Sequence, residues 1–289
     1  MSEDDRAATR DTLGGWTSRL GPDFRVRLLS GLALGVLVAL FTLSGITAFA
    51  VLVAAGAMLI AWEWGHLVHG REAGVATAVL LGTASIAAIL AYFEQIALAL
   101  LALSIGAILA TVLSLGRNSV FSALGVFYAG LPAVSLIWLR ADTTLGLWAV
   151  IFIIVVVVVA DTAAFAAGRL IGGPKLWPRL SPNKTWAGLI GAVVACGVVG
   201  VVFSQAVPGG SPARLMATSA VLALVAQAGD LAESALKRRF GAKDTSTLIP
   251  GHGGAMDRLD GLVAAASAAG LAALIIDVHA PAHALLLWS

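Results

Sequence analysis

Residues 234–260 concentrate charge in an otherwise apolar chain. The run SALKRRFGAKDTSTLIPGHGGAMDRLD holds three aspartates, one histidine and five cationic side chains. Charged residues inside a membrane protein are costly and are typical of substrate, ion or proton sites. Cationic groups bind phosphates, and the carboxylates between them suit metal ions. This stretch therefore predicts a site for a phosphorylated ligand.

Two pairs of carboxylates have helical spacing. Asp230 and Glu233 are three residues apart, as are Asp257 and Asp260, so each pair shares one helix face. Two helix ends directing such pairs at one point would suit a hard divalent cation that bridges to phosphates. The alternative is structural: Asp257 and Asp260 would cap a helix, and Glu233 would pair with Lys237 at i,i+4.

Two aspartates lie well inside apolar segments. Asp230 and Asp161 both follow long runs of small and aliphatic residues, where a lone carboxylate costs about 2.5 to 3.5 kcal/mol on insertion scales. We expect Asp161 to face the same cavity as Asp230. A structural hydrogen bond from Asp161 to a neighbouring helix is the alternative.

The segment PGHGG, residues 250–254, directly precedes Asp257. Gly253 and Gly254 permit unusual backbone angles and a close approach of N–H groups to an anion, and His252 adds an imidazole. Glycines also simply end loops, so this segment predicts a phosphate-binding turn only together with the MDRLD that follows.

A second polar segment, SPNKTW at 181–186, opens an apolar stretch. We expect Ser181 and Thr185 to cap a helix with Pro182 in its first turn, and Lys184 to reach an anion at the positive end of the helix dipole. An ordinary capped helix start with a snorkelling lysine is the alternative.

Composition sets the class of protein that must position these residues. Hydrophobic residues make up 59% and charged residues 12%, and the mean hydropathy is +0.95. These values predict an all-α, polytopic integral membrane protein. A formal charge of +2 without a basic tract argues against nucleic acid as a partner. The single cysteine, Cys196, is expected to be a small buried hydrophobe.

Nine apolar segments approach the length of about 20 residues needed to cross a bilayer. A short polar break at 42–47 separates the first two, so their boundaries are the least defined. The nine segments are 27–43, 46–64, 73–91, 95–115, 119–139, 144–168, 186–207, 214–236 and 259–277.

The basic residues predict the orientation. With a cytoplasmic N-terminus, sixteen of the eighteen Lys and Arg residues fall on the cytoplasmic side, and only Arg140 and Arg214 fall on the other. This asymmetry is the positive-inside pattern. We expect one membrane domain, 1–289, in which 1–26 is a cytoplasmic segment without the apolar core of a signal peptide. Within its catalytic half, 161–261, the cytoplasmic loops would be 169–185 and 237–258.

Twelve positions at fixed spacing resemble the signature of the phosphatidate cytidylyltransferases, the CDP-diacylglycerol synthases. GDLAES at 229–234, SPNKTW and the segment around Asp161 extend the resemblance over roughly 161–261. Ala255 and Ala187 depart from the usual pattern, in which the first is a larger aliphatic residue and the second is Glu or Gln. The twelve positions are Ser234, Lys237, Arg238, Lys243, Asp244, Pro250, His252, Gly253, Gly254, Asp257, Arg258 and Asp260.

The resemblance implies the reaction of CTP with phosphatidic acid to give CDP-diacylglycerol and pyrophosphate, dependent on Mg²⁺. Whether a monovalent cation such as K⁺ joins the Mg²⁺, and whether the protein is a homodimer, stays open. The implied location is the inner (plasma) membrane, with the site on the cytoplasmic face. The implied metal ligands are Asp230 and Asp257, with Asp260 beside them and Asp161 lining the site.

The remaining implied roles concern the substrates. The resemblance assigns phosphate binding to the cationic residues of the two loops. It assigns catalytic roles to three of these cations and to three carboxylates, Asp230, Asp257 and Asp260. The residues implied for substrate are Lys237, Lys243 and Arg258 as catalytic cations, and Ser181, Lys184, Thr185, Arg238, His252, Gly253, Gly254 and Asp161 as binding residues.

Two other classes of function share some of these features. A cation-coupled transporter would also bury Asp161 and Asp230, but it would show paired broken helices and polar groups at the midplane. Another CTP-dependent lipid enzyme, such as a lipid kinase or a CDP-alcohol phosphotransferase, would share the metal and nucleotide chemistry. Neither class predicts the spacing from Lys243 to Asp260.

Overall fold

A computed structural model describes residues 22–70, 74–114, 118–246, 248 and 253–289. Within these residues the chain forms ten helices, with one β-hairpin between the sixth and the seventh. The helices are α1 Pro22–Leu43, α2 Ile46–His69, α3 Gly74–Tyr92, α4 Ile96–Leu113, α5 Ser119–Ala141, α6 Gly146–Leu170, α7 Trp186–Phe203, α8 Pro212–Arg239, α9 Met256–Ile276 and α10 Pro281–Leu287, and the strands are β1 Lys175–Trp177 and β2 Ser181–Thr185.

Helices α2 to α9 are each long and apolar enough to cross a bilayer, whereas α1 contributes a shorter apolar stretch, Ser30–Leu43. The prediction of an all-α, polytopic membrane protein is confirmed. All nine predicted apolar segments fall on α1 to α9, most within about three residues of the observed ends. The number of spans and the cytoplasmic N-terminus stay predictions.

The predicted loop 237–258 is too long at both ends. Helix α8 continues through Lys237, Arg238 and Arg239, and α9 already begins at Met256. Lysine and arginine are good helix formers, and their charges are favourable in the last turn of a helix. The segment between α8 and α9 is therefore 240–255, and α6 likewise extends to Leu170 before the other loop begins.

The helices pack in two groups that share α9. Helices α2 to α5 pack against one another, and α6, α7 and α8 form the second group. Helix α9 lies against α8 and also contacts α5, α6 and α2. The core between the helices is rich in alanine, which allows the close backbone approach typical of membrane helices. Cys196 is fully buried there, as expected, and its thiol donates to the Val156 carbonyl at 3.3 Å.

The expectation for SPNKTW is wrong in part. Residues Ser181–Thr185 form strand β2, which pairs antiparallel with β1, so Pro182 does not lie in a helix turn. Helix α7 begins four residues later than Pro182, and Thr185 alone is its N-cap, accepting from the Gly188 N–H at 3.0 Å. One cap hydroxyl at that position suffices to end the strand and start the helix.

Candidate active site

A polar cavity of about 500 Å³ opens between α6, α7, α8 and the hairpin. Asp161 and Asp230 both line it, as expected. Lys184 lies between them, with its Nζ 2.6 Å from Asp230 Oδ2 and 3.1 Å from the side-chain oxygen of Gln227. Gln227 in turn donates to Asp161 Oδ1 at 3.0 Å. Asp161 therefore faces the common cavity and also makes the interhelical hydrogen bond considered as its alternative.

Gln227 was not predicted from the sequence. It is 4% exposed and lies one turn before Asp230 on α8, with its amide between Lys184 and Asp161. A glutamine one helical turn before an intramembrane aspartate was the available signal. The amide fixes the positions of both charged neighbours.

A second cluster joins the end of α8 to the start of α9. Lys237 Nζ lies 2.6 Å from Asp257 Oδ1 and 3.4 Å from Glu233 Oε1, so the i,i+4 pair of Glu233 and Lys237 is present. The other Asp257 oxygen accepts from the backbone N–H of Thr245 and Gly254, both at 2.9 Å, and lies 3.0 Å from the Thr245 hydroxyl. Asp257 thus binds both the lysine and the loop.

Asp260 connects the two clusters electrostatically. Its carboxyl group lies near Glu233 and within range of the charges on Asp230 and Asp161. The Glu233 side chain is only 1% exposed, and its Oε1 lies 3.4 Å from Lys237 Nζ. Five carboxyl groups from α6, α8 and α9 thus face two lysine ammonium groups: Asp161, Asp230, Glu233, Asp257 and Asp260 against Lys184 and Lys237.

The excess of acidic groups bears on metal binding. Over the residues that the structure describes, no three acidic, histidine or cysteine side chains converge closely enough to form a ready metal site. Lysine ammonium groups contact the two best-placed aspartates, Asp230 and Asp257. The donor set nevertheless fits a hard cation, because it consists of carboxylate oxygens whose charge the two lysines only partly balance.

Glu63 on α2 is the main site residue that sequence reasoning missed. It is completely buried, and its Oε1 accepts from Ser246 Oγ at 2.6 Å and the Ala255 N–H at 2.8 Å. Its Oε2 accepts from the Met256 N–H at 2.7 Å and lies 3.2 Å from the Thr245 hydroxyl. The carboxylate thus holds the N-terminus of α9. The sequence signal was present, since Glu63 is an ionisable residue within an apolar span.

The loop needs small residues where it passes Glu63. A Cβ atom on Gly254 would lie 2.1 Å from Thr245 Oγ1 and 2.6 Å from Glu63 Oε1, so only glycine fits. Gly253 has a φ of 85°, a backbone angle that favours glycine. These two glycines therefore permit the approach of the loop to Glu63 and Asp257.

Tyr128 on α5 also faces the acidic cluster. Its hydroxyl is buried without a hydrogen-bond partner among the described residues and lies within range of the charges on Glu233, Asp260, Asp257 and Asp230. Its ring packs on Trp64 with 4.8 Å between centroids. Helices α2 and α5, which the sequence resemblance did not cover, thus complete the wall of the site.

The other predicted site residues lie around this centre. Lys243 and Arg238 are exposed, and the Arg238 guanidinium lies 3.5 Å from the Ala242 carbonyl oxygen. Arg258 is exposed and borders a separate apolar cavity. Ser181 is half-buried in β2. His252 lies outside the described residues, and its role stays a prediction.

Comparison with known proteins gives concordant results. A family model described as "Cytidylyltransferase family" matches residues 25–276. A phosphatidate cytidylyltransferase from Brucella suis is 38% identical over 250 residues, which is 85% of this chain and 91% of that protein. The protein of the same name from Brucella abortus is 37% identical over the same shares. One from Staphylococcus haemolyticus is 38% identical over 155 residues, 52% of this chain and 58% of that protein.

Proposed function

The chain belongs to the cytidylyltransferase family, and from that premise we propose that it converts CTP and phosphatidic acid into CDP-diacylglycerol and pyrophosphate. A phosphate oxygen of phosphatidic acid attacks the α-phosphorus of CTP. The bond from that phosphorus to the oxygen bridging to the β-phosphate breaks, and pyrophosphate leaves. The nucleophile is already anionic, so the enzyme must mainly align two polyanions and stabilise the leaving group.

The observation that supports this proposal is the arrangement of Lys184 and Lys237. Each ammonium group lies 2.6 Å from an aspartate oxygen; Lys184 extends from strand β2, and Lys237 lies in the last turn of α8. In that position each ammonium group can exchange its contact with the aspartate for a contact with an incoming phosphate without a large movement. Charge-assisted contacts of this kind are the stronger hydrogen bonds in proteins.

We further propose that Mg²⁺ binds at the acidic cluster. Asp230, Asp260 and Glu233 would hold the ion, and Asp257 would join them where Lys237 moves to a phosphate. The excess of carboxylates and the burial of Glu233, whose Oε1 lies 3.4 Å from Lys237 Nζ, support this assignment. When bound, the ion supplies positive charge for the phosphates of CTP and the departing pyrophosphate.

The proposed location is the inner membrane, with the site on the cytoplasmic face. The multi-pass architecture and the uneven distribution of basic residues support it. CTP is water-soluble and phosphatidic acid is a lipid, so the site must meet both phases. The polar cavity beside the hairpin in 171–185 has this character.

The test uses CTP labelled at either the α- or the γ-phosphate. Purified protein in detergent is incubated with phosphatidic acid and Mg²⁺, and the label is measured in the extracted lipid. We expect α-label in the lipid and γ-label in pyrophosphate. Gamma-label in the lipid would identify a CTP-dependent lipid kinase instead. Absence of any lipid label, while an established synthase is active in parallel, would contradict both.

The proposed metal site has its own arm in this assay. Chelation of divalent cations should abolish lipid labelling, and added Mg²⁺ should restore it. Asp230→Asn should lose turnover at every Mg²⁺ concentration while eluting as wild type on size exclusion. Full activity of Asp230→Asn, or activity that survives chelation, would contradict the proposed metal site.

A further inference from the structure

A second cavity, separate from the polar one, borders α9. It has a volume of about 330 Å³ and is enclosed by α1, α2, α5 and α9, with Ile154 of α6 at its wall. Its size falls at the lower end of the range, roughly 300 to 1,000 Å³, of pockets that hold small ligands. Among the described residues, those that line it are all apolar except Arg258.

The cavity adjoins the candidate active site. Ala255 and Arg258 line it, and these residues flank Asp257 in the chain. The Ala255 N–H is one of the groups that Glu63 holds. Arg258 is therefore within a single helical turn of Asp257, the aspartate that contacts Lys237.

The dimensions of the cavity match a hydrocarbon chain. Its lining on α2 runs from Phe49 to Ile60, which is about 16 Å along a helix axis. That length is about half of the roughly 30 Å hydrocarbon core of a bilayer. A ligand that fits this cavity would be apolar along its length and carry an anion at the Arg258 end. A phospholipid has this arrangement, with an acyl chain that spans one leaflet and a phosphate at the membrane surface.

Helix α1 forms one wall of the cavity. Leu34 and Leu37 of α1 line it, and both residues are more than a third exposed. Helix α1 packs mainly against α2. A lipid can thus enter sideways past α1 without crossing the rest of the bundle.

We propose that this cavity binds an acyl chain of the lipid substrate, with Arg258 pairing with the lipid phosphate. This inference rests on the proposed function. An acyl chain gains no hydrophobic free energy on leaving the bilayer for an equally apolar cavity, so the cavity acts by positioning. It directs the phosphate of the bound lipid toward the acidic cluster, where a small misplacement is costly in rate.

Gly56 offers a clean test. A Cβ atom there would meet no atom within 4 Å, and the residue lines the cavity, so Gly56→Leu fills the space with little strain on the protein. Gly82→Leu is the matched control, because a Cβ there also meets nothing and the residue is exposed on α3, away from the cavity. Val53→Phe is a second filling variant.

The assay compares dioleoyl- with dihexanoyl-phosphatidic acid at saturating CTP. In both filling variants, kcat/KM for the long-chain lipid should fall by about tenfold or more, whereas kcat/KM for the short-chain lipid and KM for CTP should stay within about twofold of wild type. Gly82→Leu should match wild type with both lipids.

Two results would overturn the proposal: wild-type activity of Gly56→Leu and Val53→Phe toward the long-chain lipid, or equal losses with both lipids. A wild-type protein that converts neither lipid would contradict the proposed function itself, and the acyl-chain site with it. The short-chain activity of wild type therefore separates the two failures.

Discussion

Glu63→Gln tests the contact between α2 and the start of α9 most directly. The substitution keeps the size and shape of the side chain but removes its charge and one acceptor oxygen. In the native protein both oxygens accept hydrogen bonds, Oε1 from Ser246 and Ala255 and Oε2 from Met256. A glutamine would direct its NH₂ group at one of these N–H donors.

The expected magnitude follows from those contacts. A hydrogen bond to a charged group is worth about 1.5 to 3 kcal/mol, and a buried donor left without an acceptor is costly in addition. Loss of one such bond from the loop corresponds to about ten- to a hundredfold in kcat/KM. We expect a loss in this range for Glu63→Gln, and a larger one for Glu63→Ala, which removes every acceptor.

Two measurements are needed. The kcat/KM for CTP is determined in detergent, and amide hydrogen exchange is followed in peptides that contain Thr245 and Gly254–Met256. Glu94→Gln is the matched control, since it makes the same chemical change at an exposed residue remote from the site. In Glu63→Gln, exchange in these peptides should rise while exchange in the centres of α4 and α7 stays as in wild type.

The reasoning would be refuted by any of three results. Unchanged exchange near Met256 would mean that the Glu63 hydrogen bonds do not hold the loop. Faster exchange with wild-type kcat/KM would mean that the loop position does not matter for turnover. A general rise in exchange across α4 and α7 would assign Glu63 a purely structural role.

Three further predictions concern other parts of the molecule. Lys237→Met should lower kcat/KM by about ten- to a hundredfold, because it removes the partner of two buried carboxylates. Arg239 is exposed at the end of α8, so kcat/KM of Arg239→Gln should stay within about twofold of wild type. Equal losses in the two variants would show a non-specific effect of charge. Burial alone would raise the pKa of Asp142, but hydrogen bonds from Leu145, Thr144 and His283 lower this pKa to about 2. The stabilisation that the Asp142 carboxylate gives the folded protein is therefore complete above about pH 4 and is lost as the pH falls through about 2. The Tm difference between wild type and Asp142→Asn should shrink over this interval, and a constant difference would contradict the lowered pKa. In a cysteine-free background, single cysteines at Leu248 and Ser289 should react with an impermeant thiol reagent from the cytoplasmic and the opposite side respectively; the reverse pattern would contradict the predicted orientation.

Much of the fold could be predicted from hydropathy. Long apolar runs bounded by polar breaks define helices because every backbone group must be satisfied within the bilayer. The ends of the helices were less predictable where charged residues extend a helix beyond its apolar part. Lys237–Arg239 were expected in a loop, yet they extend α8, and the strand at Ser181–Thr185 has the composition of a helix cap.

The candidate site was predictable only in part. The spacing of Asp257 and Asp260, and of Asp230 and Glu233, placed acidic pairs on α8 and α9, because helical periodicity is a local property. The contributions of Glu63 and Tyr128 are long-range contacts between separate helices. A single sequence gives no information on which helices become neighbours, so only the isolated charge of Glu63 in an apolar span could have drawn attention to it.

The contact between Glu63 and Met256 also imposes an order on biosynthesis. The two residues are 193 positions apart, so at about 5 to 20 residues per second the ribosome needs roughly 10 to 40 s to make the second after the first. During that interval α2 resides in the bilayer with a carboxyl group that lacks its final donors. A chain stopped before α9 would keep this unsatisfied acid at the surface of the nascent bundle. Glu63 therefore gains its Ala255 and Met256 donors only after the start of α9 has been synthesised.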